Sequence, residues 1–404
     1  VIEWIGIIQP VRRARAGWRK ETPMARATDD TALRPFTIAI PEEDLDDLKT
    51  RLRRSRWTDE LPGVGWGYGV PRSHVQRLVE YWLDGYDWRA WEERLNRYPQ
   101  FVTEIDGQRI HFLHVRSPEP DAFPLILTHG WPGSVVEFIR IIDPLINPRA
   151  HGGDPRDAFD VVIPSLPGFG FSGPTRDTGW TSVRISRAWA ELMKRLGYTR
   201  YGAHGNDAGS IISPELGRVD GDLVAGVHVT QIFALPMGEP AEFEDLSEED
   251  VAAMQVLQWF FENKFAFNQL HSQQPQTLAH ALADSPTGLL GWNGQLLGTD
   301  VLQNLDDDFV LTNVAIYWFT NTGGSSIRLY YEDAKGRSAS GPTTVPIGLA
   351  AFEGDFKSIR RFAERDHANL VQWHTYDVPG GHYAAYLAPD LMVEDIRGFF
   401  RGLR

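Results

Sequence analysis

Residues 201–210 read YGAHGNDAGS. Within them, Gly205-Asn206-Asp207-Ala208-Gly209 sets a carboxylate between small residues at the spacing of a nucleophile elbow, the sharp strand-to-helix turn that lifts its tip residue clear of a sheet. Glycines flank such a turn because it leaves no room for side chains beside it. At the N-terminus of the following helix, backbone N–H groups and the macrodipole favour negative charge. Asp207 placed there stays ionised and attacks an electrophilic carbon without a base to activate it. Asp is also a good helix N-cap, and the pentapeptide alone supports either role.

Three other stretches offer partners. In LTHGWPGS a strand ends at Thr128 and His129-Gly130-Trp131-Pro132 turns the chain. Beyond an ordinary Gly/Pro turn, this loop can aim the backbone N–H of Trp131 at the elbow, where it and the N–H of Ala208 make a two-donor oxyanion hole. In VPGGHYAAYLAPDLMVEDIRGFF, His382 follows a strand and a Gly-Gly turn near the C-terminus, the usual place for a base in nucleophile–acid–base order. In GLAAFEGDFKS, Glu353 and Asp355 both stand at a strand end between nucleophile and histidine, and either can orient His382.

These pieces need a scaffold that gathers strand ends. FPLILTHG and FDVVIPSLPGFGFS read as buried strands running into Gly/Pro loops, and SVRISRAWAELMKRLGYTRYGAHGNDAGS reads as helix, strand, turn and the start of a helix. Alternating strands and helices imply a parallel sheet with its site at the carboxyl ends of the strands. Upstream, IPEEDLDDLKTRLRRSRW predicts a helix with Pro41 at its N-terminus and acidic residues in its first turn. HVQRLVEYWLDGYDWRAWEERLNRYP also has helical spacing, and Trp82, Trp88 and Trp91 are read as core packing. QFVTEIDGQRIHFLHVRS predicts a β-hairpin turning at Asp106-Gly107.

The expected organisation is an extension over 1–34 with Met24 as the start, a helical region over 35–100, an α/β core over 101–232, a helical cap over 233–322 and the rest of the core over 323–404. No repeat or low-complexity segment interrupts it. The chain has 404 residues, 42% hydrophobic and 23% charged, ample for one large core plus an inserted cap. A net charge of −14 argues against a nucleic-acid surface, and the lack of cysteine excludes disulfides, thiolate catalysis and Cys-ligated metal. No apolar run approaches the ~20 residues of a membrane helix. A cytoplasmic location with a small-molecule partner is expected, and a homodimer is compatible with the sequence.

The combined pattern resembles the α/β-hydrolase-fold epoxide hydrolases of the microsomal type. The likeness runs from about Pro35 to the C-terminus and includes HGWPGS, LPGFGFS, the Asp elbow, ADSPTGLLGW, SSIRLYYED, FKSIRRFAER and GGHYAAY. It implies an α/β-hydrolase fold with an N-terminal helical region and an inserted helical cap, acting on an epoxide and water without metal or organic cofactor. It also implies Asp207 as nucleophile, His382 as general base, Trp131 and Ala208 as oxyanion-hole donors, and Asp355 rather than Glu353 as the orienting acid. The acid is the third residue after the strand-end phenylalanine, here Phe352. Tyr330 falls on a position whose hydroxyl grips the epoxide oxygen. The position of a second such hydroxyl is Phe267, so either one donor suffices or a nearby group among Gln269, Gln231 and His271 replaces it. Ala208 stands where the family commonly has tryptophan, which opens room for a bulky or aromatic epoxide converted to a vicinal diol, in detoxification or secondary metabolism. A haloalkane or haloacid dehalogenase would use the same triad but needs side-chain N–H donors for a halide, which Ala208 lacks. A silent binder would keep the shell, yet here all three triad candidates are present.

Overall fold

The computed structural model describes residues 31–297, 305–336 and 341–404. Most of the expected 1–34 extension, including Met24, lies outside the described residues, although Arg34 already belongs to the first strand. Nine strands form one mixed sheet: β1 (Arg34–Phe36), β2 (Gln100–Ile105), β3 (Gln108–Val115), β4 (Phe123–Thr128), β5 (Phe159–Pro164), β6 (Tyr201–Gly205), β7 (Val224–Val229), β8 (Ile347–Glu353) and β9 (Leu370–Pro379). Their order is β1-β2-β3-β5-β4-β6-β7-β8-β9. The first three strands and β5 pair antiparallel, whereas β5, β4, β6, β7, β8 and β9 run parallel.

The sequence explains this division. The β2–β3 hairpin turns at Asp106 and Gly107, both at positive φ (52° and 75°), as the expected Asp-Gly pair requires. The central strands β4 and β6 are buried almost throughout, as parallel strands covered on both faces must be. The helix Ser182–Arg195 covers one flank with Ile185, Ala188, Trp189, Leu192 and Met193, is capped by Thr181 and ends on Lys194 and Arg195. The Trp189 indole donates to Thr128 Oγ1 at 3.2 Å, tying this helix to the end of β4.

The aromatic N-terminal stretch forms two helices rather than one, Arg72–Asp84 and Trp88–Asn96. The break falls at Gly85, and the second helix restarts under Asp87, whose carboxylate accepts from the amides of Arg89 (2.9 Å) and Ala90 (3.3 Å). Trp82, Trp88 and Trp91 are buried in the core, as their spacing indicated.

Between β7 and β8 the chain leaves the sheet and forms the helical insertion. It runs from Glu248–Asn263 through Ala266–Gln273, Pro275–Asp284, Pro286–Leu297 and Asp307–Phe319 to Gly323–Ser326 and Arg328–Lys335. The helices thus continue beyond the expected boundary at 322. Gly323-Gly324 is a site of close packing and not a break: a Cβ on Gly324 would meet the Ala279 side chain at 2.6 Å, and one on Gly323 would press on Leu289. Tyr330 therefore belongs to the cap. Among the described residues no helix is long and apolar enough to cross a membrane.

Candidate active site

The four sequence stretches meet at the carboxyl ends of β4, β6, β8 and β9. Asp207 follows β6 with φ 49° and ψ −120°, a conformation rare for a residue with a Cβ. Holding it costs on the order of 1–3 kcal/mol, a cost typical of functional turns. The crowding that demanded small residues is visible. A Cβ on Gly205 would run into the Gly209 carbonyl, one on Gly209 into the Thr128 carbonyl oxygen, and one on Gly130 into the Asp207 carboxylate. The side chain of Asp207 makes no capping bond to its own helix, Ala208–Val219, so the N-cap reading of its carboxylate falls away.

Instead Asp207 Oδ1 accepts the Trp131 N–H at 2.8 Å, and Oδ2 lies 3.7 Å from His382 Nε2. His382 Nδ1 in turn lies 3.5 Å from Asp355 Oδ2. Burial pushes the Asp207 carboxyl up, against the opposing pull of His382 and of the Trp131 and Ala208 amides. Burial also disfavours the charged form of His382, but Asp355, Asp207 and Glu137 outweigh it and raise the imidazole to about 9. For Asp355 burial is likewise overcome, by His382, the Phe356 amide (2.7 Å) and Gln231, so this carboxyl sits below its ordinary range. The imidazole thus lies between two carboxyl groups, 3.7 Å from one and 3.5 Å from the other, and both help to hold its proton. Glu353, the other acid weighed for this role, ends β8 exposed, and among the described residues it is Asp355 that faces His382 Nδ1.

The loop before Trp131 is held by His129. Its Nε2 accepts the Leu166 N–H at 3.2 Å, which leaves the ring proton on Nδ1, 3.0 Å from the Gly130 carbonyl. Complete burial holds this imidazole down at about 4, so it is neutral and structural.

From the cap, Tyr330 and Phe267 close over Trp131. Phe267 stacks on the Trp131 indole with centroids 5.5 Å apart, and Tyr330 meets Trp131 edge-on at 6.2 Å and Phe267 at 6.0 Å. Burial, then the nearby Asp207 charge, drives the Tyr330 hydroxyl well above its ordinary range, so it remains a proton donor at any working pH.

Two expected binding residues are elsewhere. Gln269 is exposed, because two residues beyond Phe267 on the helix Ala266–Gln273 points away from the face that meets Trp131. Gln231 is fully buried beneath the elbow and not available to the cap. Its Oε1 accepts from the Asp207 N–H (2.8 Å), Ser210 Oγ (2.9 Å) and Thr230 Oγ1 (2.9 Å), while its Nε2 donates to Asp355 Oδ2. One amide thus links the backbone of Asp207 to the carboxylate of Asp355. Gln231→Leu keeps the volume but strips both ends of their partners, and should cost about 1–3 kcal/mol in urea unfolding. Unchanged stability would show that the bridge is dispensable.

Sequence reasoning passed over Glu137. It is fully buried in the turn Val135–Phe138, beside Gly130, Asn206 and the triad. Burial raises it well above the usual carboxyl range, with the Asp207 charge adding to the effect and the His382 charge opposing it. A lone acid in the run SVVEF next to a Gly/Pro loop was the available signal. Asn206, inside the elbow, donates from Nδ2 to the His382 carbonyl and links the nucleophile's turn to that of the base.

Comparisons with known proteins agree with this geometry. The family described as "Epoxide hydrolase N terminus" matches residues 33–138, and that described as "alpha/beta hydrolase fold" matches residues 124–305. A Stigmatella aurantiaca protein provisionally named an epoxide hydrolase is 42% identical over 92% of this chain and 85% of its own length. Epoxide hydrolase 1 of Sus scrofa is 30% identical over 95% of this chain and 92% of its own. The solved structure of Aspergillus niger epoxide hydrolase superposes with a TM-score of 0.80 at 32% identity, over 92% of this chain and 97% of that one. The sheet, the inserted helical cap and these relatives lead to one assignment: the chain belongs to the microsomal-type epoxide hydrolases of α/β-hydrolase fold and is an epoxide hydrolase.

Proposed function

We propose that this chain opens a bulky or aromatic epoxide by covalent catalysis on Asp207. The observation that carries the reading is the pairing of Asp207 Oδ1 with the Trp131 amide at 2.8 Å, which leaves Oδ2 as the attacking oxygen beside His382. An epoxide is strained and carries no carbonyl, so a carboxylate displaces at carbon directly. Oδ2 forms the new C–O bond, the ring C–O bond breaks, and the oxygen takes a proton from Tyr330. The product is an ester of Asp207 bearing one hydroxyl. His382 then removes a proton from water, and the hydroxide adds to the ester carbonyl. The oxyanion develops on Oδ1, facing the amides of Trp131 and Ala208, and one such donor is typically worth about 3–4 kcal/mol. Collapse expels the second diol oxygen, which takes the proton held on His382, and the proton of the regenerated Asp207 acid returns to Tyr330, restoring the carboxylate.

Alkylation also prepares the base. Forming the ester removes the Asp207 charge 3.7 Å from His382. That charge is one of those that raise the imidazole, so the imidazole falls when a neutral base is needed. Because this pKa is raised to about 9 in the free protein, ester hydrolysis should show an acidic limb well below pH 9, with the rate rising as pH rises through it. A single-turnover profile in which hydrolysis still climbs through pH 9 would contradict this switch.

Ala208 in place of a large side chain, and the aromatic cluster of Trp131, Phe267 and Tyr330, support an aromatic substrate. The test is a single turnover of styrene oxide, enzyme in excess, in heavy-oxygen water. Label in the peptide containing Asp207 and not in the diol is expected. Label in the diol alone would mean direct attack by water.

A further inference from the structure

The cap helix Ala266–Gln273 carries a histidine with one ring nitrogen committed and the other free. His271 is fully buried. Trp292, on the helix Pro286–Leu297, donates its indole N–H to His271 Nε2 at 2.9 Å. Indole nitrogen is a donor only, so Nε2 is the acceptor and the ring proton resides on Nδ1. Burial holds the imidazole down at about 3, and it stays neutral at neutral pH. Among the described residues no group accepts from Nδ1, which is itself buried. Such an unmet N–H costs about 1–3 kcal/mol in a folded protein, and each one calls for an explanation.

Its surroundings supply one. His271 lies one helical turn beyond Phe267, on the face that meets Trp131. Its ring stands edge-on to the Trp131 indole at 4.7 Å and 4.9 Å from the Tyr330 ring. Trp131 is the residue whose amide holds Asp207 Oδ1, and Tyr330 is close enough to Asp207 to feel its charge. The imidazole thus packs between the ring of Trp131, whose amide meets Asp207, and the ring of Tyr330.

We propose that the Nδ1–H of His271 is a second donor to the epoxide oxygen, acting beside the Tyr330 hydroxyl, and that Trp292 is the positioning residue that fixes its tautomer. The inference rests on the reading of Asp207 as nucleophile. As the Asp207 Oδ2–carbon bond forms, the electron pair of the breaking C–O bond moves onto the ring oxygen. Tyr330 transfers its proton to that oxygen, while His271 donates a hydrogen bond and keeps its proton. A neutral imidazole suits this task, because it stabilises developing negative charge without being consumed. Phe267, which has no hydroxyl, then serves as packing that holds the imidazole and Trp131 in place.

The test uses the full chain and styrene oxide under single-turnover conditions, resolving ester formation from ester hydrolysis by quenched mass analysis of the Asp207 peptide. His271→Leu should slow ester formation by about 10²–10³-fold, the scale of one lost donor, and leave ester hydrolysis within about threefold. His271→Asn keeps an N–H near the Nδ1 position and should recover most of the loss. Phe267→Tyr in the Leu background supplies a hydroxyl one turn away and should recover part of it. If His271→Leu does not melt cooperatively, Trp292→Phe takes its place: the tautomer is released, and ester formation alone should fall several-fold. A folded His271→Leu variant with unchanged ester formation overturns the proposal, as does an equal loss in both steps or a His271→Asn variant no better than Leu. A wild-type chain that forms no Asp207 ester would overturn the underlying reading as well, so the two failures are distinguishable.

Discussion

Asp207→Ala should abolish turnover, with diol formation from styrene oxide falling by about 10⁴-fold or more, as happens when a covalent nucleophile is removed. The expectation follows from the division of labour at the elbow. In the proposed route every other group acts on a bond that Asp207 itself makes: Trp131 and Ala208 would hold its carbonyl oxygen, His382 would cleave its ester, and Tyr330 would protonate the oxygen it displaces. Without the carboxylate these groups have no intermediate to work on. His382 also loses one of the charges that raise it, so it should titrate below its wild-type value of about 9. The fold should survive, because Ala requires no more room at the elbow than Asp and the backbone strain at φ 49° is common to both. The measurements are steady-state diol formation and the near-ultraviolet spectrum of the variant. A folded Asp207→Ala protein retaining a tenth of the wild-type rate would transfer the chemistry to water attack and remove the covalent route.

Much of this site could be read from the chain because its parts are local. The elbow, the HGWPGS loop and the GGHYAAY turn each combine a strand end, small residues and one reactive group, and a parallel sheet brings strand ends together whatever the details between them. The pentapeptide leaves Asp207 open as cap or nucleophile, and the missing capping bond and the bond from Trp131, which speak against the cap, are properties of the folded backbone. Gln231 was legible as a residue after a strand but not as a bridge, because its partners, Asp207 and Asp355, are joined to it by the fold and not by any spacing. Gln269 and His271 could have been told apart. Helical periodicity from Phe267 places residue 271 on its face and residue 269 away from it. The helices continue past the expected boundary at 322, and the close packing of Gly324 against Ala279 that carries them on is invisible until the helices are in place.

His382→Gln should separate the two halves of the reaction. Ester formation needs an ionised Asp207, the two amides and Tyr330, and none of these is His382. Ester hydrolysis needs a base, and a positioned base contributes about 10²–10⁴-fold. The variant is therefore expected to consume about one equivalent of epoxide per chain in a burst and then stall, with hydrolysis slowed by about 10³-fold. The mass of the intact protein should rise by that of the epoxide, and the Asp207 peptide should carry the addition. Loss of the imidazolium has a second consequence. Burial pushes Asp207 up and His382 is the largest opposing influence, so the Asp207 carboxyl should rise further in the variant. The burst should accordingly lose rate at acid pH sooner than wild-type ester formation does, as a carboxylate with a raised pKa is protonated first. A variant that neither bursts nor turns over, while remaining folded, would mean that His382 acts before or during the attack on the epoxide. A variant that turns over normally would mean that a group other than His382 supplies the base.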